Sequence, residues 1–229
     1  MASDAFLEKG SEMSKRLGIY WPHLLMVMNL ESGISPAAHN PGGASGLIQF
    51  TNLAGVGWSG TSEAFRALSD VDQLPYVERF LSFYKKDKLD SVRRIHQALY
   101  VPATLPEGSD PDLVLTRADG TRWGGREAQY YADNHSFDAD NKGYITAGDL
   151  EKADIKAAAP ASSGYQRAVK RLQELLPEYA KDVANVLAPP GSPARTVATS
   201  KSPWKTTVWW LLGATSVAGG AAWYLLRKN

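Results

Sequence analysis

Five consecutive apolar residues, Leu24-Leu25-Met26-Val27-Met28, lie inside a segment running from Trp21 to Leu30. A helix that is apolar all round cannot rest on a surface and needs other elements on every side. The segment therefore predicts a small domain built about one central helix, with Pro22 tolerated in its first turn. Phe6, Met13 and Leu17 share one face of a preceding helix, which Gly18 is placed to stop. Val71 to Tyr84 and Leu89 to Leu99 have helical spacing as well. Ser32 to Gly60 is dense in Gly, Ser, Asn and Pro and predicts loops around a short Leu47–Phe50 element. Pro102 to Gly125 is turn-rich and predicts a small hairpin about Asp119-Gly120. With few strand-like alternations, the expected fold class is mainly α.

The C-terminal part differs in composition. Ala188 to Pro203 holds four prolines among Ser, Thr and Gly, the composition of an extended tether. Thr206 to Leu226 carries no charge and has the length of a helix crossing a bilayer. Trp209 and Trp210 stand near one end and Trp223 and Tyr224 near the other, where aromatic rings suit the two interfaces. Basic residues flank both ends and leave the orientation open. Thr215 with Gly219 and Ser216 with Gly220 place small residues on one face, the pattern of a helix-packing contact. The division expected is a domain over 1–160, an amphipathic helix over 161–187, a Pro-rich linker over 188–205 and a transmembrane helix over 206–226.

Glu31 directly follows the apolar helix. Cleaving a glycosidic bond needs a proton donor near neutral pH, whereas a free glutamate, with a pKa of about 4.3, is ionised there. A low-dielectric setting disfavours the charged form, and the apolar helix supplies one. The glycines that follow remove side-chain bulk and permit an open groove. Taken alone, the same residue reads first as a surface glutamate near a helix end.

The order Glu31-Ser32-Gly33, Pro36-Ala37-Ala38, then Gly43-Ala44-Ser45-Gly46-Leu47-Ile48-Gln49 resembles the lytic transglycosylases of the lysozyme superfamily. The likeness covers about the first hundred residues and implies a lysozyme-like helical domain that cuts the MurNAc–GlcNAc bond of peptidoglycan. It implies that Glu31 performs both proton transfers, that the substrate's acetamido group stabilises the reactive carbon, and that the 6-hydroxyl closes a 1,6-anhydro ring. Ser32, Gln49 and Phe50 would bind substrate. No second carboxylate stands out for a conventional retaining hydrolase: Glu63, Asp70 and Asp72 read as solvated or capping residues. Trp58, Trp123, Tyr130 and Tyr131 are aromatic candidates for stacking on sugar rings or for packing, with Tyr131 taken as the binding residue. The family's later tyrosine-containing groove motif has no clear copy here; Leu99-Tyr100-Val101-Pro102 lies nearest its place. His23, His39, His96 and His135 lack metal-ligand spacing and read as structural or exposed.

Asp138 to Asp149 resembles an EF-hand loop, with Asp138, Asp140, the Tyr144 carbonyl and Asp149 as ligands and Gly143 at the sharp turn. Lys142 stands where an oxygen ligand is expected, and Asp149 replaces the usual glutamate. Two readings follow: a structural Ca2+ site, or a calcium-free turn held by Asx-type hydrogen bonds. No cofactor is required for the chemistry.

Formal net charge is +1, which gives no reason to expect nucleic acid as a partner. The absence of cysteine excludes disulfides, thiol catalysis and cysteine-ligated zinc. Expected partners are peptidoglycan glycan strands, the lipid bilayer and, through the span, virion or helix-packing partners. A span so near the C-terminus, with no N-terminal signal peptide, is expected to leave the domain on the side opposite peptidoglycan. This predicts a single-pass protein of a phage virion's internal membrane, opening the wall during entry, or else of the bacterial envelope. The alternative function is a catalytically weak peptidoglycan-binding or assembly protein.

Overall fold

The computed structural model describes residues 2–84 and 89–179. The linker and the span expected over 188–205 and 206–226 lie outside the described residues. Among the described residues no helix is long and apolar enough to cross a membrane.

The architecture is mainly helical. Helix α1 (Asp4–Leu17) starts at Ser3, whose hydroxyl accepts the Phe6 N–H, and stops at Gly18. Helix α2 (Trp21–Ser32) is the apolar segment. Trp21, Leu24, Leu25, Met26, Val27 and Met28 are all fully buried, so it is covered on every side. Helices α3 (Ser62–Arg66) and α4 (Asp70–Ser82) follow the loop region and begin at the caps Thr61 and Ser69. The Ser69 hydroxyl accepts the Asp72 N–H, so the helix expected from Val71 starts one residue earlier. Helix α5 (Val92–Tyr100) leads through a 3-10 segment into strand β1 (Val114–Arg117). A four-residue turn, α6 (Arg122–Gly125), in which Trp123 and Gly124 are left-handed, and a short helix, α7 (Glu127–Asp133), precede strand β2 (Tyr144–Thr146) and helix α8 (Ala147–Ala158). Helix α9 (Gly164–Leu175) completes the set.

Helix α2 packs against α1, α5, α8 and α9, which makes it the axis of the domain. Asn29 fixes its register on two of these neighbours. Its side-chain amide donates to the Ala157 carbonyl at the end of α8 and accepts the Tyr165 N–H at the start of α9. Tyr165, Val169 and Leu172 of α9 join Phe6, Trp21 and Leu25 in one core. The amphipathic segment expected over 161–187 is therefore a core helix where it is described, and it is shorter, ending at Leu175 ahead of Pro177. Proline lacks an N–H and ends the helical ladder there.

The hairpin expected at Asp119-Gly120 does not form. Strand β1 pairs antiparallel with β2, from the EF-hand-like segment, with Val114 opposite Thr146 and Arg117 opposite Tyr144. Leu115, Ile145, Ala147 and Leu150 bury a second, smaller cluster there, with Tyr131 and Phe137 against it. The apolar face of β1 needs this partner, and a local hairpin offers none.

The long loop between α2 and α3 is held by Gln73 of α4, which is fully buried. Its Oε1 accepts the Leu47 N–H at 3.0 Å, and its Nε2 donates to the carbonyls of Pro36 (2.8 Å) and Phe65 (3.0 Å). Gly46 passes beneath this amide with φ +80°, where a Cβ would lie 2.5 Å from Gln73 Oε1. Replacing Gln73 by Leu removes the partners of a buried N–H and of the Pro36 carbonyl at little change in volume. Such losses cost about 1–3 kcal/mol each, so urea denaturation is expected to show the variant destabilised by roughly 2–4 kcal/mol. An unchanged midpoint would show that the amide does not hold the loop.

Candidate functional site

Glu31 occupies the last turn of α2, and Gly33 ends that helix in the left-handed conformation with its N–H on the Asn29 carbonyl. The helix has no basic residue in its last turn, although its C-terminal carbonyls and Glu31 together favour a cation there. His96 of α5 fills that place. Its Nε2 lies 3.2 Å from Glu31 Oε1, and its Nδ1 lies 2.8 Å from Asp154 Oδ2 on α8. The three groups form a line from the rim inward: the Glu31 side chain is 21% exposed, that of His96 1% and that of Asp154 0%. The Phe137 ring meets the imidazole edge-on at 5.4 Å and closes its side. Among the described residues the second oxygen of Glu31 accepts no hydrogen bond.

The same two helices are joined one turn away, where Arg93 of α5 reaches Glu151 of α8 at 2.7 Å. Residues 93 and 96 share one face of α5, and residues 151 and 154 share one face of α8. Two ion pairs therefore set the register of the helices that flank Glu31.

Burial by itself disfavours an imidazolium. The Asp154 charge and hydrogen bond, followed by those of Glu31, outweigh it and push the His96 pKa up to about 10. Burial raises Asp154 from the ordinary carboxylate value while the His96 charge opposes the rise. His96 is thereby held as a cation between Asp154, at the buried end of the line, and Glu31, at the exposed end.

The other residues expected at this site are placed as follows. The Ser32 hydroxyl lies 2.9 Å from the Met28 carbonyl and 2.8 Å from the Leu47 carbonyl, and it accepts the Ser35 N–H. It ties the helix end to the loop. Gln49 has φ +51° and donates its amide to the Gly46 carbonyl. Phe50 is only 5% exposed, with its ring edge-on to Phe65 and Phe80 in the core, so it does not line an open groove. Trp58 likewise packs on Phe65 and Tyr76. Ile34, with φ +59°, and Gln49 bracket the loop in a conformation that non-glycine residues rarely adopt. Strain of this kind collects at functional sites.

Tyr131 belongs to the second cluster, where its hydroxyl donates to Asp138 Oδ2 at 2.8 Å. Asp70 accepts from Ser3 and Asp72 from Ser69, so both carboxylates are engaged at helix starts. A cleft between α1 and α4, lined by Lys9, Glu12, Arg16, Asp72 and Glu78 among others, does not include Glu31.

In the EF-hand-like loop, Asp138 and Asp149 are buried, Tyr144 is half-buried and Asp140 is exposed. Lys142 turns its ammonium toward Asp138 and Asp149. Among the described residues no group of three or more His, Asp or Glu is arranged to hold a metal. This donor set does not fit a calcium ion while the ammonium holds its place.

From the sequence His96 reads as structural or exposed, and nothing there singles out Asp154 or Gln73. His96 follows Ile95 on the buried stripe of an amphipathic helix, and Asp154 repeats the acidic Glu151 one turn on. Read together, Arg93/His96 and Glu151/Asp154 are the available signal for paired helices. No protein-family model, curated protein or solved structure matches this chain.

The His96–Asp154 pair carries a pH signature. A histidine raised from 6.5 to about 10 on folding stabilises the protein fully below pH 6.5 and loses that contribution as pH rises through the folded value. The stability advantage of the wild type over a His96→Gln/Asp154→Asn double variant, whose pair does not titrate, is expected to shrink between these limits. Denaturant melts across that range measure it, and a constant advantage would contradict a charged His96.

Proposed function

We propose that this chain cleaves peptidoglycan glycan strands as a lytic transglycosylase, with Glu31 as its single acid and base. One observation carries the reading: Glu31 stands at the rim, 21% exposed, with one oxygen on a sealed His96–Asp154 pair and the other without a partner among the described residues. A group that gives and then recovers a proton needs one face open to substrate and one face held. The order of residues from Glu31 to Gln49 supplies the substrate class through its resemblance to the transglycosylases.

In the first step the Glu31 carboxyl protonates the glycosidic oxygen as the C1–O bond breaks and the substrate's acetamido oxygen bonds to C1. In the second, the Glu31 carboxylate takes the proton of the 6-hydroxyl while that oxygen attacks C1 and the acetamido oxygen departs. The product carries a 1,6-anhydro end, no water is consumed and Glu31 regains its proton. The His96 Nε2 serves both states of Glu31. As imidazolium it donates to an oxygen of Glu31 throughout, of the acid or of the carboxylate, and keeps its own proton in both steps. Asp154 is too deeply buried to touch a sugar and acts only on His96. No cofactor takes part. Lysozyme-like architecture, a C-terminal membrane anchor and action from a phage virion's internal membrane, or from the bacterial envelope, complete this reading.

A second reading is favoured by the inward turn of Ser32 and the burial of Phe50. With both committed to the fold, the rim offers fewer groups to substrate, as in a peptidoglycan-binding or assembly protein without turnover.

Glu31→Gln keeps the shape of the side chain and removes its acid–base function. Release of anhydro-muropeptides from purified sacculi is expected to fall at least roughly 100-fold, with the thermal unfolding transition retained. Mass spectrometry of the digest separates the outcomes. Anhydro ends from the wild type support transglycosylation and reducing ends indicate hydrolysis. Binding without product selects the second reading, and undiminished activity of Glu31→Gln would remove Glu31 from the chemistry.

A further inference from the structure

Calcium loops of the spacing found at Asp138–Asp149 place an oxygen donor at the fifth position, where this chain has Lys142. The side chain does not swing out to solvent. Its Nζ lies 2.9 Å from Asp149 Oδ2 and 3.6 Å from Asp138 Oδ1. Asp138 and Asp149 are nearly sealed, with side chains 0% and 6% exposed, and Lys142 is 23% exposed. The remaining acceptor capacity is largely engaged. Asp138 accepts the backbone N–H groups of Lys142 and Gly143 and the Tyr131 hydroxyl. Asp149 Oδ2 accepts the N–H and hydroxyl of Thr146, closing a reciprocal cap at the start of α8.

Two buried carboxylates drawn together by a tight loop repel each other and need a cation between them. In a metal-binding loop that cation comes from solution. Here it is covalently attached, so no ion has to be captured, and an incoming divalent ion would meet a fixed positive charge. Lys152 adds a further positive charge 3.7 Å from Asp149 Oδ1 on the solvent side.

We propose that Lys142 is the resident cation of this loop: its ammonium stands where a metal-binding loop holds calcium, and it latches the loop to the first turn of α8 without metal. The consequence reaches the candidate site. Asp149 and Asp154 lie on the same helix, so the latch helps fix the element whose Asp154 backs His96. Through Asp138 it also holds Tyr131. The domain then keeps its form in surroundings of widely different calcium content, whatever chemistry Glu31 performs.

The test uses the full chain, melted in EDTA and in about 10 mM calcium chloride, above the range in which such loops bind. The wild type is expected to carry no stoichiometric calcium and to melt at the same temperature in both. Lys142→Met, which keeps the aliphatic stem and removes the charge, is expected to melt lower by at least roughly 4 °C in both media. Lys142→Asn restores an oxygen donor at the fifth position; it is expected to melt low in EDTA and to recover in calcium. A wild type stabilised by calcium or weakened by EDTA would overturn the latch. So would a Lys142→Met protein that melts with the wild type, or a Lys142→Asn protein indifferent to calcium. If Lys142→Met does not accumulate in folded form, the wild-type and Lys142→Asn melts decide the matter.

Discussion

The burial of α2 on all sides is the constraint from which the rest of the domain follows. An apolar helix with no solvent face can exist only inside a ring of others, and α1, α5, α8 and α9 supply that ring. Burying its six fully sealed N-terminal and central side chains, Trp21 to Met28 apart from Pro22 and His23, contributes on the order of 1.5–3 kcal/mol for each large residue. Its C-terminal turn emerges at the rim of the ring, which brings Glu31 to the boundary between core and solvent. The helices that flank this exit, α5 and α8, are the ones whose polar residues Glu31 meets.

Charges so close to a core survive only by pairing, because a lone buried ion costs far more than a hydrogen bond returns. His96 is the cation between Glu31 at the rim and the sealed Asp154. The loop at Asp138–Asp149 follows the same rule with Lys142 between two carboxylates. In both places a cationic side chain separates acids drawn from different elements, and in both one of the acids lies on α8. That helix is therefore held at its first turn by one ion cluster and near its end by another.

The sequence made much of the helical framework legible. Gly18 stops α1, the apolar segment forms α2 with Pro22 in its first turn, and α4 and α5 form within a few residues of the segments with helical spacing. Glu31 was legible too, as an acid following an apolar run. Its partners were not, since a lone histidine without metal-ligand spacing reads as structural until a second helix is laid against it. Phe50 illustrates the opposite case. The resemblance implied that it lines a groove with Gln49, yet its ring packs edge-on against Phe65 and Phe80 in the core. The pairing of β1 with β2 escaped local reading for the same reason: a strand's partner is chosen by the apolar surface it can share, and a nearby turn signal does not decide it.

What the sequence determined by itself is whatever depends on neighbours along the chain: helix periodicity, caps, the all-round apolar character of α2 and the acid at its end. Such properties follow from backbone geometry and residue chemistry within a few turns. Tertiary structure alone decided which groups meet across the chain. It set His96 between Glu31 and Asp154, Gln73 across the loop that carries Gly46 and Leu47, and the Lys142 ammonium between Asp138 and Asp149. These contacts arise when buried polar groups find their complements as the helices pack, and spacing along the chain does not encode them. The first of them gives Glu31 one held face and one open one.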